Sequence, residues 1–192
     1  MPVDTVQKFG DWFVEMFSGK LGKRSSGFQT ALGWMIDNGG KNIIETGCLR
    51  THDNWVGDGY STLVFGEAAK WFNLHLWTVD INSGSLVAAQ VVTEHLKSQI
   101  TYTLGDSIDF LEKFEDNIDL LYLDSLDSDI NALAAQEHQM KELEAAYGKL
   151  SKKAAVLLDD NFDAGKTKRT NKTLKNIGWQ QLLDGYQALW VR

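Results

Sequence analysis

Acidic and amide side chains follow two apolar runs of the sequence, at the point where each run ends. Asp124 comes directly after Leu120-Leu121-Tyr122-Leu123, and Asp159-Asp160-Asn161 come directly after Val156-Leu157-Leu158. If both runs are parallel strands of one sheet, their carboxyl ends are neighbours and three or four oxygen ligands converge there. Completed by waters, this set suits Mg²⁺ or a similar hard cation, which could bind a substrate hydroxyl and lower its pKa. The alternative is a group of acids that only cap loops.

A second group of residues has the spacing of a nucleotide or nucleoside site. Glu45-Thr46-Gly47 ends one apolar run, Gly59-Tyr60-Ser61 opens a helical pattern, and Asp80 ends another apolar run 35 residues after Glu45. Glycines let the backbone approach a ligand, and an acid at the end of the second strand accepts hydrogen bonds from ribose hydroxyls. The alternatives are a turn acid at Asp80 and, in Gly105-Asp106-Ser107, a plain helix cap.

These side chains need elements that position them, and apolar runs alternate with helical patterns from residue 42 onward. Near-continuous apolar strands with helices between them indicate a parallel sheet covered on both faces, and Asp184-Gly185 is a two-residue hairpin signal. The predicted strands are Asn42–Thr46, Leu74–Asp80, Thr101–Leu104, Leu120–Asp124, Ala154–Asp159, Trp179–Leu183 and Tyr186–Val191. The predicted helices between them are Ser61–Trp71, Ser85–Lys97, Ile108–Phe114 and Ala132–Tyr147.

We therefore predict an α/β fold, a Rossmann-like seven-stranded, mostly parallel sheet with a C-terminal antiparallel hairpin and helices on both faces. The 192 residues suit a single domain, with an N-terminal helical segment at 1–40 and the Rossmann-like core at 41–192. Residues 162–178 are predicted to form a short loop. The apolar face of the N-terminal helices (Phe9, Trp12, Phe13 and Phe17) is more typical of core, and it is also a candidate homodimer surface.

Composition limits the class of partner. The formal net charge of −7 argues against nucleic acid as the main partner, since that role needs clustered Lys and Arg. The basic stretch Lys166-Thr167-Lys168-Arg169 is either a solvated helix face or a contact to an anionic ligand. A single Cys48 fits a reducing compartment, and the chain has no run of 18 apolar residues and no signal-peptide pattern. We expect a cytoplasmic protein without a membrane partner.

This plan resembles the class I S-adenosylmethionine-dependent methyltransferases, whose seven-stranded sheet ends in such a hairpin. The resemblance covers roughly Asn42 to Arg192, and Glu45-Thr46-Gly47 with Gly59-Tyr60-Ser61 is similar to the first motif of small O-methyltransferases. Here residues 50–58 stand as an insertion between its two halves. The resemblance implies S-adenosylmethionine as cofactor. It implies contacts to the methionine part by Glu45 and Gly47, to its carboxylate by Ser61, to the ribose by Asp80 and to the adenine by Asp106 and Ser107.

The acids after the fourth and fifth strands resemble those of the divalent-metal O-methyltransferases of the catechol, caffeoyl-CoA and macrolide-sugar types. The resemblance implies Asp124, Asp160 and Asn161 as metal ligands, with Asp159 as the alternative. Catechol-type enzymes have a lysine base at the position of Asp127, which here is a candidate base, a metal ligand or a loop residue. Two histidines complete the candidates. His52 in the insertion is the better functional histidine, while His138 is predicted to be a surface or helix-packing residue.

The sequence thus predicts metal-assisted O-methylation of a small hydroxylated acceptor. Two alternatives stay open: a metal-independent methyltransferase of the same fold, and a cofactor-binding partner protein without transfer chemistry. A nicotinamide dehydrogenase fits poorly, because the turn lacks G-x-G-x-x-G and the terminal hairpin is foreign to that fold.

Overall fold

The computed structural model describes residues 3–57, 59–127, 131–163 and 165–192, with the backbone alone for residues 3–7. Within these ranges the chain forms seven α-helices and seven strands. The helices are α1 Val3–Phe17, α2 Ser25–Asp37, α3 Ser61–Phe72, α4 Ser83–Val92, α5 Ser107–Lys113, α6 Ala132–Tyr147 and α7 Lys168–Asn176. The strands are β1 Asn42–Thr46, β2 His75–Asp80, β3 Ile100–Leu104, β4 Ile118–Leu123, β5 Leu150–Leu158, β6 Gln180–Asp184 and β7 Ala188–Val191. Two short 3-10 helices cover Gly22–Arg24 and Glu94–Leu96.

One sheet contains all seven strands, in the order β3-β2-β1-β4-β5-β7-β6. The first five strands pair in parallel, while β7 pairs antiparallel with both β5 and β6. The strand order reverses between β1 and β4, and in such sheets the crevice at this reversal is where ligands bind. The predicted fold class is therefore confirmed, including the antiparallel C-terminal hairpin.

Alternate residues of each strand face opposite layers of core. Ile43, Leu120 and Leu157 belong to a core cluster shared with α1, α2 and α3. Ile44 and Leu121 belong to a second cluster on the other face, shared with α5, α6 and α7. Because both faces are covered, the central parts of the strands are largely apolar. The acids that follow β4 and β5 lie at their carboxyl ends, at the rim of the sheet.

The N-terminal aromatic face is core. Phe9, Trp12, Phe13 and Phe17 are buried against α2 and α3, as their spacing predicts. Among the residues described, no helix is long and apolar enough to cross a membrane.

One segment predicted to be a loop is a helix in the structure, and the predicted helix Ser85–Lys97 is α4 followed by the 3-10 helix Glu94–Leu96. The segment 162–178, expected to be a loop, contains the helix α7. Its sequence KRTNKTLKN buries only Thr170 and Leu174, so it lacks the apolar periodicity from which a helix is predicted. The helix is relevant to the site because it begins just after the turn that follows β5, and its residue Asn171 donates to Asn161.

Candidate active site

The turn after β1 is tightly built around Gly47. Its φ of 78° lies in the left-handed region, and a Cβ atom there would lie 2.4 Å from the backbone oxygen of Asp124. Only glycine allows β1 and β4 to end this close together. The predicted glycine turn therefore brings the first motif and the first predicted metal ligand to one place.

Glu45 is fully buried at the end of β1. Its Oε2 accepts hydrogen bonds from the hydroxyls of Thr62 (2.8 Å) and Thr78 (2.6 Å). Burial raises the pKa of Glu45 to about 7, and nearby hydroxyls, Ser61 first, oppose that shift. Ser61 makes no hydrogen bond of normal geometry to it, so the buried Oε1 has no partner among the residues described. An unpaired buried oxygen of this kind is costly and fits a site that a ligand completes.

The residues that flank the insertion are joined by hydrogen bonds through the hydroxyl of Thr62. The Leu49 amide donates to Thr62 Oγ1 at 2.9 Å, and Thr62 in turn donates to Glu45. Within the insertion the ring of Trp55 stacks on Tyr60 with centroids 4.3 Å apart. The two halves of the first motif are thus adjacent in space despite the intervening residues, as the resemblance requires.

A cleft of about 170 Å³ lies at the carboxyl ends of β1, β2 and β3. Four of the six predicted cofactor residues line it, namely Gly47, Asp80, Asp106 and Ser107. The remaining lining residues are Val79, Ile81, Gly105, Ser125, Leu126 and His138. Glu45 and Ser61, both buried, lie outside the lining.

The carboxylates of Asp80 and Asp106, the two acids of this cleft, also accept hydrogen bonds from backbone amides. Asp80 accepts from the amides of Asn82 (2.7 Å) and Cys48 (3.1 Å). Asp106 caps α5 through Oδ1, which accepts from the amides of residues 108 and 109. Cap and ligand contact are therefore compatible, because a carboxylate has about four acceptor positions. A larger cleft of about 510 Å³ shares Asp106 with this one but lacks Gly47 and Asp80, so it is the weaker candidate for the cofactor.

His138 packs between α5 and α6 and also lines the cleft, where the sequence favoured a surface or helix-packing residue over a substrate contact. Its Nε2 lies 3.2 Å from Ser107 Oγ and 3.4 Å from Glu142 Oε1. The contact with the buried Glu142 raises the pKa of His138 despite the opposing effect of burial. Helical spacing placed this residue on α6, but only the approach of α6 to α5 brings it to the cleft.

Three acids converge at the ends of β4 and β5. One oxygen each from Asp124, Asp159 and Asp160 lies within 4.8 Å of the others. Burial, followed by the negative charge of Asp159, raises the pKa of Asp124 to about 7. The sequence prediction that these side chains meet at one edge of the sheet agrees with this geometry.

Two buried cations from the protein itself pair with these acids. Lys166 Nζ lies 2.5 Å from Asp124 Oδ1 and 3.4 Å from Asp160 Oδ2. Arg24 donates from Nε and Nη2 to both oxygens of Asp159, the shortest distance being 2.7 Å. The cluster therefore already contains two positive charges for its three carboxylates.

The donor set does not fit a divalent cation in this arrangement. Asp124 accepts from the Lys166 ammonium through Oδ1 and from the Tyr122 hydroxyl through Oδ2, and both oxygens of Asp159 accept from the Arg24 guanidinium. Asn161 accepts from Thr167 and Asn171 through Oδ1 and donates to Asp184 and Gly185 through Nδ2, which uses its full capacity. A cation ligated by Asp124, Asp160 and Asn161 would require these contacts to be exchanged.

The other two predicted catalytic residues lie in exposed loops. His52 is highly exposed and contacts its neighbour Asp53 at 3.1 Å. Asp127 pairs with Arg50 at 2.6 Å, with both side chains about half exposed. Neither lines the cleft, and Asp127 is not part of the three-acid cluster. Their catalytic roles stay predictions.

Sequence reasoning missed Lys166 and Arg24 as site residues. Lys166 lies in the basic stretch that was interpreted as a solvated face or an anion contact. Its position six residues after Asp160, near the end of a strand, was an available signal. Arg24 is the last residue of the 3-10 helix between α1 and α2, which carries no motif, so only the tertiary structure shows its contact with Asp159.

Comparison with known proteins identifies a family. Residues 56–161 match the family model described as a methyltransferase domain, which is more than half of the 192 residues. Among curated proteins no match was found.

Solved structures with the same fold include three methyltransferases. A Staphylococcus aureus protein assigned as a caffeoyl-CoA O-methyltransferase is 18% identical, with a TM-score of 0.65 over 98% of this chain and 92% of that one. The SAH-bound Podospora anserina methyltransferase PaMTH1 is 17% identical, with a TM-score of 0.61 over 99% and 88%. The O-methyltransferase NovP is 17% identical, with a TM-score of 0.64 over 88% and 79%. At these identities the likeness is one of fold.

Proposed function

We propose that this chain, which belongs to the methyltransferase-domain family, transfers a methyl group from S-adenosylmethionine to a hydroxyl oxygen of a small acceptor. Family membership supports methyl transfer. The oxygen acceptor is supported by the structural relatives described as O-methyltransferases and by the acids beside the cleft.

The observation that carries the proposal is the cleft at the switch point of the sheet, with Asp80 on one side and Asp106 on the other. Asp80 has remaining lone pairs for ribose hydroxyls, and the capping of α5 uses only Oδ1 of Asp106, so Oδ2 can accept from an adenine amino group. Ile81 and Leu126 are exposed apolar side chains of the same cleft and suit the faces of a flat ring.

Glu45 and Gly47 support the methionine part of the cofactor. Gly47 lets the backbone approach a ligand, and the unpaired Oε1 of Glu45 could accept a hydrogen bond from an amino group, which would offset the cost of its burial. Because Glu45 is buried outside the lining of the cleft, this contact stays a prediction. The contact of Ser61 with the carboxylate stays a prediction, because Ser61 is buried at the start of α3 outside the lining of the cleft.

S-adenosylmethionine supplies a methyl group bonded to a positively charged sulfur. When the acceptor oxygen forms its bond to that carbon, the carbon–sulfur bond breaks with its electron pair left on sulfur, and the acceptor hydroxyl loses a proton. Asp124 is the candidate base for this proton. Its side chain is partly exposed beside the Gly47 turn, and its raised pKa suits proton transfer near neutral pH. The other contribution of the protein is positioning of the two reactants.

Two alternatives differ from this proposal. A metal-assisted reaction is supported by the convergence of the three acids, but Lys166 and Arg24 already pair with those acids. A non-catalytic cofactor-binding protein would keep its function in Asp124→Ala and Asp160→Ala, whereas an enzyme would lose turnover with the fold retained.

Formation of S-adenosylhomocysteine tests the proposal. Purified protein is incubated with S-adenosylmethionine and, separately, catechol, caffeic acid and a deoxysugar glycoside, and the product is measured by mass spectrometry. We expect product above the acceptor-free control with at least one hydroxyl compound, and a loss of about a hundredfold in Asp124→Ala. The exposed Asp163→Ala is the matched control. Cofactor binding without product for any acceptor would favour the non-catalytic alternative.

A further inference from the structure

Lys166 is buried although it is a lysine, with 1% of its surface exposed. The turn after β5 places it there. The amide of Gly165 donates to the backbone oxygen of Phe162 at 2.7 Å, and a Cβ atom on Gly165 would lie 2.2 Å from the backbone oxygen of Asp160. Glycine thus lets the chain fold back on the end of β5, and the next residue, Lys166, extends to Asp124 and Asp160. A buried lysine is rare unless it is paired, so its place is determined by these acids.

The charge on Lys166 is maintained by the acids around it. Burial opposes that charge, but Nζ lies 2.5 Å from Asp124 Oδ1 and 3.4 Å from Asp160 Oδ2, and carboxylates this close favour the charged ammonium. The three carboxylates of the cluster, if all ionised, carry three negative charges, and Lys166 and Arg24 offset two of them. Acids this close together repel one another unless cations lie between them, and here the protein provides those cations.

We propose that the ammonium of Lys166 is a built-in replacement for the divalent cation that this arrangement of acids would otherwise attract. It lies 2.5 Å from Asp124 Oδ1 and 3.4 Å from Asp160 Oδ2, and it fixes the Asp124 side chain beside the Gly47 turn, where β1 and β4 end. Lys166 is accordingly a positioning residue, since its own burial keeps it from the acceptor. The inference rests on the proposed function, because it assigns Asp124 to the acceptor side of the reaction.

Two consequences separate this arrangement from a metal site. Wild-type protein does not bind a divalent ion at the acids, and its affinity for S-adenosylmethionine is the same in Mg²⁺ and in EDTA. Removal of the lysine charge frees Asp124 Oδ1 and leaves the acids with unbalanced charge, so the variant gains affinity for a hard cation.

The test is the electron paramagnetic resonance signal of free Mn²⁺ mixed with excess protein. We expect the full free-ion signal with wild type and with the control Lys168→Ala, an exposed lysine two residues along the chain. We expect loss of that signal with Lys166→Met, reversed by adding Asp124→Asn. Lys166→Gln, which keeps a hydrogen-bond donor, is the second neutral variant if Lys166→Met does not fold. Near-ultraviolet circular dichroism checks the folding of each.

Loss of the free-ion signal with wild type, restored by Asp124→Asn, would overturn the proposal. A folded neutral variant that leaves the signal unchanged would also contradict it, because Lys166 would not then be what excludes the ion. A parallel titration of S-adenosylmethionine in EDTA separates the two ideas. If the cofactor does not bind wild type, the proposed function is contradicted whatever the Mn²⁺ result. If the cofactor binds in EDTA but wild type also has an Mn²⁺ site, only the proposed role of Lys166 is contradicted.

Discussion

Lys166 Nζ and Asp124 Oδ1 lie 2.5 Å apart, although 42 positions separate the two residues in the sequence. The contact joins the end of β4 to the turn that follows β5. Both side chains are largely removed from solvent, with 2% of the Lys166 side chain and 18% of the Asp124 side chain exposed. Such a pair is weak evidence for stability as a whole, but the loss of one partner leaves an uncompensated buried charge.

Asp124→Asn should therefore destabilise the fold, by up to about 3 kcal/mol, because Lys166 would keep only its longer contact with Asp160 at 3.4 Å. The double variant Asp124→Asn/Lys166→Met should lose less than the sum of the two single changes, because neither charge is then left alone. Urea unfolding measures these differences, with the exposed Asp163→Asn of the following turn as control. Additive effects within about 0.5 kcal/mol would show that the two side chains are not coupled.

Gly47→Ala tests the turn itself. The substitution places a side chain at a φ of 78° and a Cβ atom 2.4 Å from the backbone of residue 124, where nothing flexible can move aside. We expect a cost of at least about 2 kcal/mol and loss of cofactor binding. Gly148→Ala is the matched control, since that glycine has a φ of −68° and open space around its Cβ position. Equal stability of the two variants, measured by thermal unfolding, would refute this account of the turn.

Glu45 makes stability depend on pH. Its pKa is raised from 4.5 to about 7 in the folded state, so the folded protein binds the proton more tightly than the unfolded chain. The resulting stabilisation is fully present below about pH 4.5 and is lost as pH rises through 7, for a total of about 3 kcal/mol. The difference in unfolding free energy between wild type and Glu45→Gln should shift by about 2.5 kcal/mol between pH 5 and pH 8, in favour of the variant at the higher pH. The same difference at both pH values would contradict the assigned shift.

The sequence predicted the framework because the framework depends on local patterns. The strand Asn42–Thr46 and the helix Ala132–Tyr147 have the predicted bounds, since each apolar pattern ends at polar or turn residues. β5 begins at Leu150 rather than at Ala154, because Ser151, Lys152 and Lys153 continue the strand beside an irregular pairing with β4. The class I methyltransferase resemblance is confirmed by the fold and the family match.

The site was predictable in place and less so in detail. Asp124 and Asp160 could be expected to meet, because the ends of parallel strands are neighbours. Their partners could not be expected. Lys166 reaches them through a tight turn at Gly165, and Arg24 comes from a part of the chain 135 positions away from Asp159. Pairings of this kind depend on how distant parts of the chain pack together, and no periodicity or motif spacing in a single sequence predicts that packing.

The most direct test of the account is calorimetric titration of S-adenosylmethionine into the protein in EDTA, with Asp80→Ala and the exposed Asp37→Ala in parallel. We predict micromolar binding to wild type and to Asp37→Ala. Asp80→Ala should bind at least about tenfold more weakly, because it lacks the carboxylate that accepts from the ribose. No binding heat with wild type in either EDTA or Mg²⁺ would contradict the assignment of the cleft to this cofactor, and with it the proposed methyl transfer.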